Sequence, residues 1–462
     1  LCQLAFSSLN LHSDLLDNIS TLGYTEMTAI QQESLPPILD GKDVIAQGKT
    51  GSGKTAAFGL GLLQKLDVKR FRIQSLVLCP TRELADQVAK ELRKLGRGIH
   101  NIKILTLCGG MPFGPQVGSL EHGAHVIVGT PGRIEDHLKR GTLKLDDVNL
   151  LVLDEADRML DMGFQETLDR VIEQIPAQRQ TLLFSATFPT QIQKIANRIM
   201  QKPVMVKVAS IHDHATIEQH FYKVQDKNQR FVALRLLLMH FNPESSLVFC
   251  NTKKETQEVA DQLVSYGFSA LALHGDLEQR DRDQTLIRFS NKSASVLVAT
   301  DVAARGLDID TLDAVINYHI AHDAEVHVHR IGRTGRAGSK GIACSLYNDK
   351  ESYRVALLES NIDPILDSEP LPPLALLDKT ASKPAMVTIQ IDGGKKQKVR
   401  AGDILGALTG DKGIEGKQVG KITIADNWSY VAISQQAAKQ ALAKLTNGKL
   451  KGRSFRVRVI QS

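Results

Sequence analysis

Up to about Pro370 the chain repeats one theme: a short unbroken apolar run, a polar or glycine-bearing turn, then a stretch with helical spacing. The runs Asp43 to Ala46, Leu76 to Cys79, Val126 to Val128, Leu150 to Leu153 and Leu182 to Phe184 form a first series. Leu247 to Cys250, Leu271 to Leu273, Val296 to Ala299 and Ala314 to Ile316 form a second. Strands that are apolar throughout and joined by helical crossovers belong to parallel sheets covered on both faces. The pattern therefore predicts an α/β protein with two such lobes.

The stretch 209–216, ASIHDHAT, is polar and lacks periodicity, and it reads as a hinge linker. It separates a first lobe, 1–208, from a second, 217–363. Five prolines between Pro364 and Pro384 suit an extended tether over 364–384. In 385–462 the pattern changes to MVTIQI, a helix near Ala401 to Leu408, KITIA, WSYVAI, a helix near Gln435 to Leu445, and FRVRVI. The order βαββαβ is the ferredoxin-like, RRM-like arrangement of RNA-recognition modules.

Charge sharpens this division. Residues from Ala385 onward carry 14 Lys and Arg against 5 Asp and Glu, whereas the rest carries 43 against 46. The basic tail suits nucleic acid. No unbroken apolar run is long enough to span a bilayer, and no leader precedes the first element, so a cytoplasmic location without membrane contact is expected. The five cysteines are scattered, form no Cys-x-x-Cys pair, and read as buried thiols.

The polar motifs follow the strands, where ligands of open parallel sheets bind. Gly48 to Thr55, GKTGSGKT, is a complete phosphate loop between a strand and a helix. The backbone of Gly51, Ser52 and Gly53 would wrap phosphates, Lys54 would neutralise them, and Thr55 would reach magnesium. Asp154-Glu155-Ala156-Asp157 ends another apolar run. Asp154 suits magnesium and Glu155 suits water activation, which together specify hydrolysis of a nucleoside triphosphate. The second series lacks a phosphate loop but carries His329 to Arg336, HRIGRTGR. Arginine matches phosphate oxygens in a bidentate way, so arginine fingers from a facing lobe are the natural reading. His319, His322, His327 and His329 alternate along a segment that reads as strand-like and lacks a recognised metal-ligand spacing.

These residues resemble the DEAD-box family of RNA helicases over nearly all of 1–360. The resemblance also rests on Pro80 to Ala85 (PTRELA), Gly109-Gly110, Thr130 to Arg133 (TPGR), Ser185-Ala186-Thr187, His274-Gly275 with Gln279 and Arg282, and Thr300-Asp301 with Arg305 to Asp308. It implies two RecA-like lobes, ATP and magnesium as cofactors, and RNA as partner. Gln31 would select adenine, with Phe6 and Tyr24 beside the base and Asp308 at the ribose. Arg333 and Arg336 would stabilise the transferring phosphate, and Ser185 and Thr187 would couple hydrolysis to the lobes. RNA would meet Thr81, Arg82, Gly110, Thr130 and Arg133 on one side and Gly275, Arg282, Thr300 and Arg305 on the other. This chain departs from the family pattern at Gly48, usually alanine, and at His327, often an aromatic residue.

The tail, with NWSYVAI and NGKLKGRSFRVRVI, resembles the bacterial DbpA subfamily. That resemblance implies recognition of a hairpin of large-subunit ribosomal RNA and a role on pre-ribosomal particles, in ribosome biogenesis. The expected activity is local, ATP-dependent unwinding of RNA duplexes; an ATP-gated RNA clamp that anchors assembly is the alternative. Trp428 and Tyr430 share a face by strand alternation, but Thr388 and Gln390 bring no aromatic to the neighbouring strand. RNA stacking and ordinary packing are therefore both open for Trp428.

Overall fold

The computed structural model describes residues 4–48, 51–208, 217–304, 312–335, 340–359, 368–410 and 413–460. The expected linker, 209–216, lies outside them. Two compact units emerge, one holding the first lobe and the other holding the second lobe together with the tail domain.

In the first lobe the strands are β1 (Val44–Gln47), β2 (Ser75–Leu78), β3 (Ile104–Leu107), β4 (Val126–Gly129), β5 (Leu150–Asp154), β6 (Gln180–Ser185) and β7 (Val204–Lys207). They form one parallel sheet in the order β3-β4-β2-β5-β6-β1-β7. Neighbouring residues of a strand point to opposite faces. Accordingly Val77, Val126 and Val152 enter one apolar core while Leu76, Ile127 and Leu151 enter another. This double burial is why the strands are apolar without interruption.

The second lobe repeats the plan with β8 (Ile217–Lys223), β9 (Ser246–Cys250), β10 (Ala270–Leu273), β11 (Val296–Thr300), β12 (Ala314–Asn317), β13 (Gly341–Tyr347) and β14 (Ser368–Glu369). Their order is β10-β11-β9-β12-β13-β8-β14. The last strand comes from the proline-bearing stretch read as a tether. There Glu369 accepts hydrogen bonds from His220 Nδ1 (2.8 Å) and from the Tyr222 hydroxyl (3.2 Å), which tie the segment to β8. Part of the expected tether is thus an exposed strand paired at the sheet edge.

The tail has β15 (Met386–Ile391), β16 (Val419–Ile424), β17 (Ser429–Ser434) and β18 (Val457–Val459) in the antiparallel order β16-β17-β15-β18. Helices Ala401–Thr409 and Ala438–Asn447 complete the βαββαβ order. Ile389, Ile391, Val431 and Ile433 build a core with Ile404, Leu408, Ala441 and Leu445. The opposite sheet face is buried too, with Thr388 at 0%, Gln390 at 1%, Ala432 at 1% and Tyr430 at 5% exposure. It is held to the second lobe by Asn291 and Ser293, which bond Thr388 Oγ1 at 3.1 and 2.7 Å. The guanidinium of Arg280 lies over the Trp428 ring, 5.0 Å from its centroid.

Candidate ATP and RNA sites

All seven strands of the first sheet are parallel, so their carboxyl ends lie on one edge, and strand order decides which loops are neighbours there. The carboxyl ends of β1, β6 and β5 and the loops that follow them carry the phosphate loop, Ser185 to Thr187 and Asp154 to Asp157. Those after β2, β4 and β3 carry Thr81-Arg82, Thr130 to Arg133 and Gly109-Gly110. The first lobe's expected phosphate, magnesium, water-activating and coupling residues therefore occupy one half of the edge and its expected RNA residues the other.

In the ATP half, Gly51 and Gly53 take left-handed backbone angles, φ 83° and 94°, which lead into the helix Lys54–Lys65. A side chain at Gly53 would also run into Gln31 Nε2 at 2.5 Å. Gln31 is buried and both ends of its amide are engaged: Oε1 accepts from Thr28 N at 2.9 Å, and Nε2 donates to Gly53 O at 3.1 Å. Thr28 Oγ1 donates to Ser52 O at 2.8 Å. The adenine-selecting candidate is thus a brace for the phosphate loop, and Thr28 is its partner. The capping-box spacing Thr28-x-x-Gln31 was the sequence signal for that pairing. Phe6 is buried and meets Tyr24 edge-on at 5.9 Å, while the Tyr24 hydroxyl donates to Glu91 Oε1 at 2.7 Å. A Cβ at Gly48 would come within 2.6 Å of Ile30 Cδ1, so glycine suits this chain's packing.

Lys54 Nζ donates to Gly48 O at 2.7 Å. Asp154 is buried beside it, and burial pushes its carboxyl up to about 7 while Lys54 pulls it down. A carboxylate that costs this much to ionise suits a cation neighbour, and with the Thr55 hydroxyl it offers hard oxygen donors of the kind magnesium prefers. Glu155 is a non-glycine residue in the left-handed region, φ 50° and ψ 52°, at the start of the helix Ala156–Asp161. Its backbone is strained at the point where water activation was expected.

Asp157, which sequence reasoning left without a role, links the three motifs. Its Oδ2 accepts from both the backbone N and the hydroxyl of Thr187, each at 2.9 Å. Its own N–H donates to Ser185 Oγ at 3.3 Å, and Ser185 O accepts from Gly48 N at 3.0 Å.

In the RNA half, Thr81 and Thr130 each precede a helix, Arg82–Leu95 and Pro131–Lys139. Gly110 has φ 73°, and a Cβ on it would sit 1.7 Å from Arg82 Nη1, so the guanidinium lies against this backbone. Arg133 Nη1 donates to Met111 O at 2.9 Å. The candidates converge through these contacts.

The second lobe divides similarly. His274-Gly275 follows β10, Thr300 ends β11 with Asp301 next after it, and Arg282 Nη1 donates to His274 O at 3.4 Å. His327 and His329 lie on the helix Ala324–Ile331, not on a strand-like segment. Asp323 caps that helix by accepting from Val326 N at 2.7 Å, which overrides the alternation. Burial drives the His327 imidazole down to about 3, and Arg330 adds to the fall. Arg330 is 2% exposed and pairs with Asp301 through two bonds of 2.7 Å. Of the three arginines in the motif, this one is structural. Arg333 lies two residues past the end of the helix, after the capping Gly332. Arg305, Asp308 and Arg336 lie outside the described residues.

Residues 28–195 match the model of the DEAD/DEAH box helicase family, 226–338 the helicase conserved C-terminal domain and 388–459 the DbpA RNA binding domain. The ATP-dependent RNA helicase DbpA of Escherichia coli is 54% identical over 99% of this chain and 100% of its own length. The chain belongs to the DbpA subfamily of DEAD-box RNA helicases. DbpA of Bacillus subtilis is 37% identical over 98% of both chains. Among solved structures, S. cerevisiae Dbp5 bound to RNA and ADP BeF3 is 30% identical, with a TM-score of 0.72, over 82% of this chain and 100% of its own. The activity is accordingly that of an ATP-dependent RNA helicase. Among the described residues no helix is long and apolar enough to cross a membrane.

Proposed function

We propose that ATP hydrolysis on one half of the first sheet's edge drives local remodelling of RNA gripped on the other half, and that the tail directs this work to ribosomal RNA. The carrying observation is the division of that edge by strand order, with Asp157 bonded to the Ser185–Thr187 loop.

In this reading Gln31 meets adenine with the amide hydrogen and oxygen lone pair that its bonds to Gly53 and Thr28 leave over, with Phe6 and Tyr24 beside the base and Asp308 at the ribose. The N–H groups of Gly51, Ser52 and Gly53 and the Lys54 ammonium receive the phosphates. Thr55 and Asp154 would hold magnesium, which when bound would supply positive charge to offset that of the phosphates. Glu155 orients the attacking water and takes its proton; Arg333 and Arg336 offset charge on the transferring group. Loss of the phosphate is felt by Thr187 through Asp157. Thr81, Arg82, Gly110, Thr130 and Arg133, and on the second lobe Gly275, Arg282, Thr300 and Arg305, hold sugar and phosphate, which gives grip without sequence choice.

Sequence choice falls to the tail. Its basic charge supports binding of a hairpin of large-subunit ribosomal RNA, on pre-ribosomal particles in the cytoplasm. With the outer sheet face covered by the second lobe, the hairpin is met by loops and helices rather than by aromatic stacking on that face. The test is ATP hydrolysis by the full chain with a ribosomal RNA fragment carrying the peptidyl-transferase-region hairpin, the same fragment with the hairpin scrambled, and poly(A). Strong stimulation by the intact hairpin alone is expected. Equal stimulation by all three would leave a general RNA helicase.

A further inference from the structure

Next to the RNA half of the first lobe lies an arrangement that none of the assigned roles uses. Phe113 stacks on His137, with ring centroids 4.2 Å apart and planes at 16°. His137 is fully buried and fixed on both sides, by Gln116 Oε1 at 3.0 Å and by Thr142 Oγ1 at 2.8 Å. Gln116 in turn donates to Cys108 O at 3.0 Å, immediately before Gly109-Gly110. Two guanidinium groups reach the same Phe113 ring: Arg133 at 5.6 Å and Arg140 at 4.3 Å from its centroid.

Arg133 and Arg140 stand seven residues apart, the second just past the helix Pro131–Lys139, so they fall on one face about 10 Å apart along the axis. Arg133 has Asp136 at 3.8 Å, whereas Arg140 is exposed and pairs with no carboxylate among the described residues. Burial lowers the pKa of His137. Two cations drawn to one aromatic ring repel each other, and a bound polyanion would relieve that repulsion. The aromatic stack also fixes side chains that would otherwise lose freedom on binding.

We propose that Arg140 is a further contact for an RNA phosphate on the first lobe, and that Phe113 is the positioning residue that holds Arg133 and Arg140 ready for it. The inference rests on the reading that Gly110, Thr130 and Arg133 grip the RNA backbone. It extends that grip along the helix face toward Arg140.

The test measures the RNA dependence of ATP hydrolysis with single-stranded poly(A) at several salt concentrations, for the full chain and for Arg133→Ala, Arg140→Ala, Phe113→Leu and Phe113→Tyr. Arg140→Ala and Phe113→Leu should raise the RNA concentration for half-maximal rate roughly threefold to tenfold, and make the logarithmic salt dependence shallower by about 0.7. Phe113→Tyr keeps the ring and should behave as the parent. A purely structural Phe113 would move the unfolding temperature and leave the salt slope alone. If Arg133→Ala weakens RNA dependence while Arg140→Ala keeps the parent's half-saturation and slope, the inference is overturned. If Arg133→Ala also changes nothing, the wider RNA reading of this surface falls and the inference with it.

Discussion

Asn291 Nδ2 donates to Thr388 Oγ1 over 3.1 Å, and this bond pins the outer sheet face of the tail domain to the second lobe. Thr388 is fully buried, and Asn291 Oδ1 has no hydrogen-bond partner. Thr388→Val would leave Asn291 with no bond at either end of its amide, at a cost of about 1–3 kcal/mol. The chain has a single tryptophan, Trp428, which packs under Arg280 at this same contact. Thr388→Val and Arg280→Ala are each expected to shift its emission to the red and to speed amide exchange in β15. Unchanged emission in both variants would mean that the tail does not rest on this face in solution.

Glu155 adopts φ 50°, which costs an ordinary residue about 1–2 kcal/mol. Glu155→Gln keeps that strain, whereas Glu155→Gly relieves it. Both variants should lose ATP turnover, and Glu155→Gly should be the more stable of the two by about 1 kcal/mol in urea unfolding. A less stable glycine variant would show that the left-handed backbone is not strained.

Much of this architecture was legible in sequence because local pattern and tertiary role agree. Unbroken apolar runs became the central strands, and the phosphate loop and Asp154 to Asp157 fell at their carboxyl ends. What was missed depended on partners far along the chain. β8, IEQHFYK, alternates polar residues and becomes a strand beside β13 and β14. Period-two spacing placed Trp428 on a face but gave no sign that Arg280 would cover it. The role of Asp157 depends on Thr187, thirty residues away. The helix 324–331 had a local signal, the Asp323 cap, that was outweighed by the valine and histidine alternation.

Gly110→Ala should damage RNA use selectively. Its φ of 73° disfavours any side chain, and a methyl group would displace the Arg82 guanidinium 1.7 Å away. The RNA concentration for half-maximal ATPase rate is expected to rise about tenfold, roughly 1.4 kcal/mol, with ATP affinity kept because the phosphate loop lies on the other half of the edge. An ATP defect without an RNA defect would contradict the division of that edge.

His319 places one ring nitrogen 2.8 Å from Glu255 and the other 3.1 Å from Glu351. With a carboxylate at each nitrogen, both must carry protons, so the ring is an imidazolium. Burial works against this charge, yet the bonds to Glu255 and Glu351 outweigh it and hold the imidazole above its ordinary value. Burial likewise works against Glu351, but His319 and Arg230 hold it down to about 2. A raised histidine stabilises fully below its unfolded value of about 6.5, and that stability is lost as pH rises through the folded value. The Glu351 contribution is present above about 4.3 and fades as pH falls toward 2. Thermal unfolding of the parent should therefore fall on the alkaline side more steeply than that of His319→Gln. Parallel profiles would remove the imidazolium.

The most direct test follows ATP consumption and strand separation in one reaction, with a short RNA duplex beside the ribosomal hairpin, the same duplex without it, and a long blunt DNA duplex. The account predicts that the hairpin-bearing RNA is separated with matching ATP consumption, that the plain duplex is separated poorly, and that DNA is left intact. Glu155→Gln should bind the hairpin RNA and separate none of it catalytically. Processive opening of the DNA, or ATP consumption indifferent to RNA, would contradict the account.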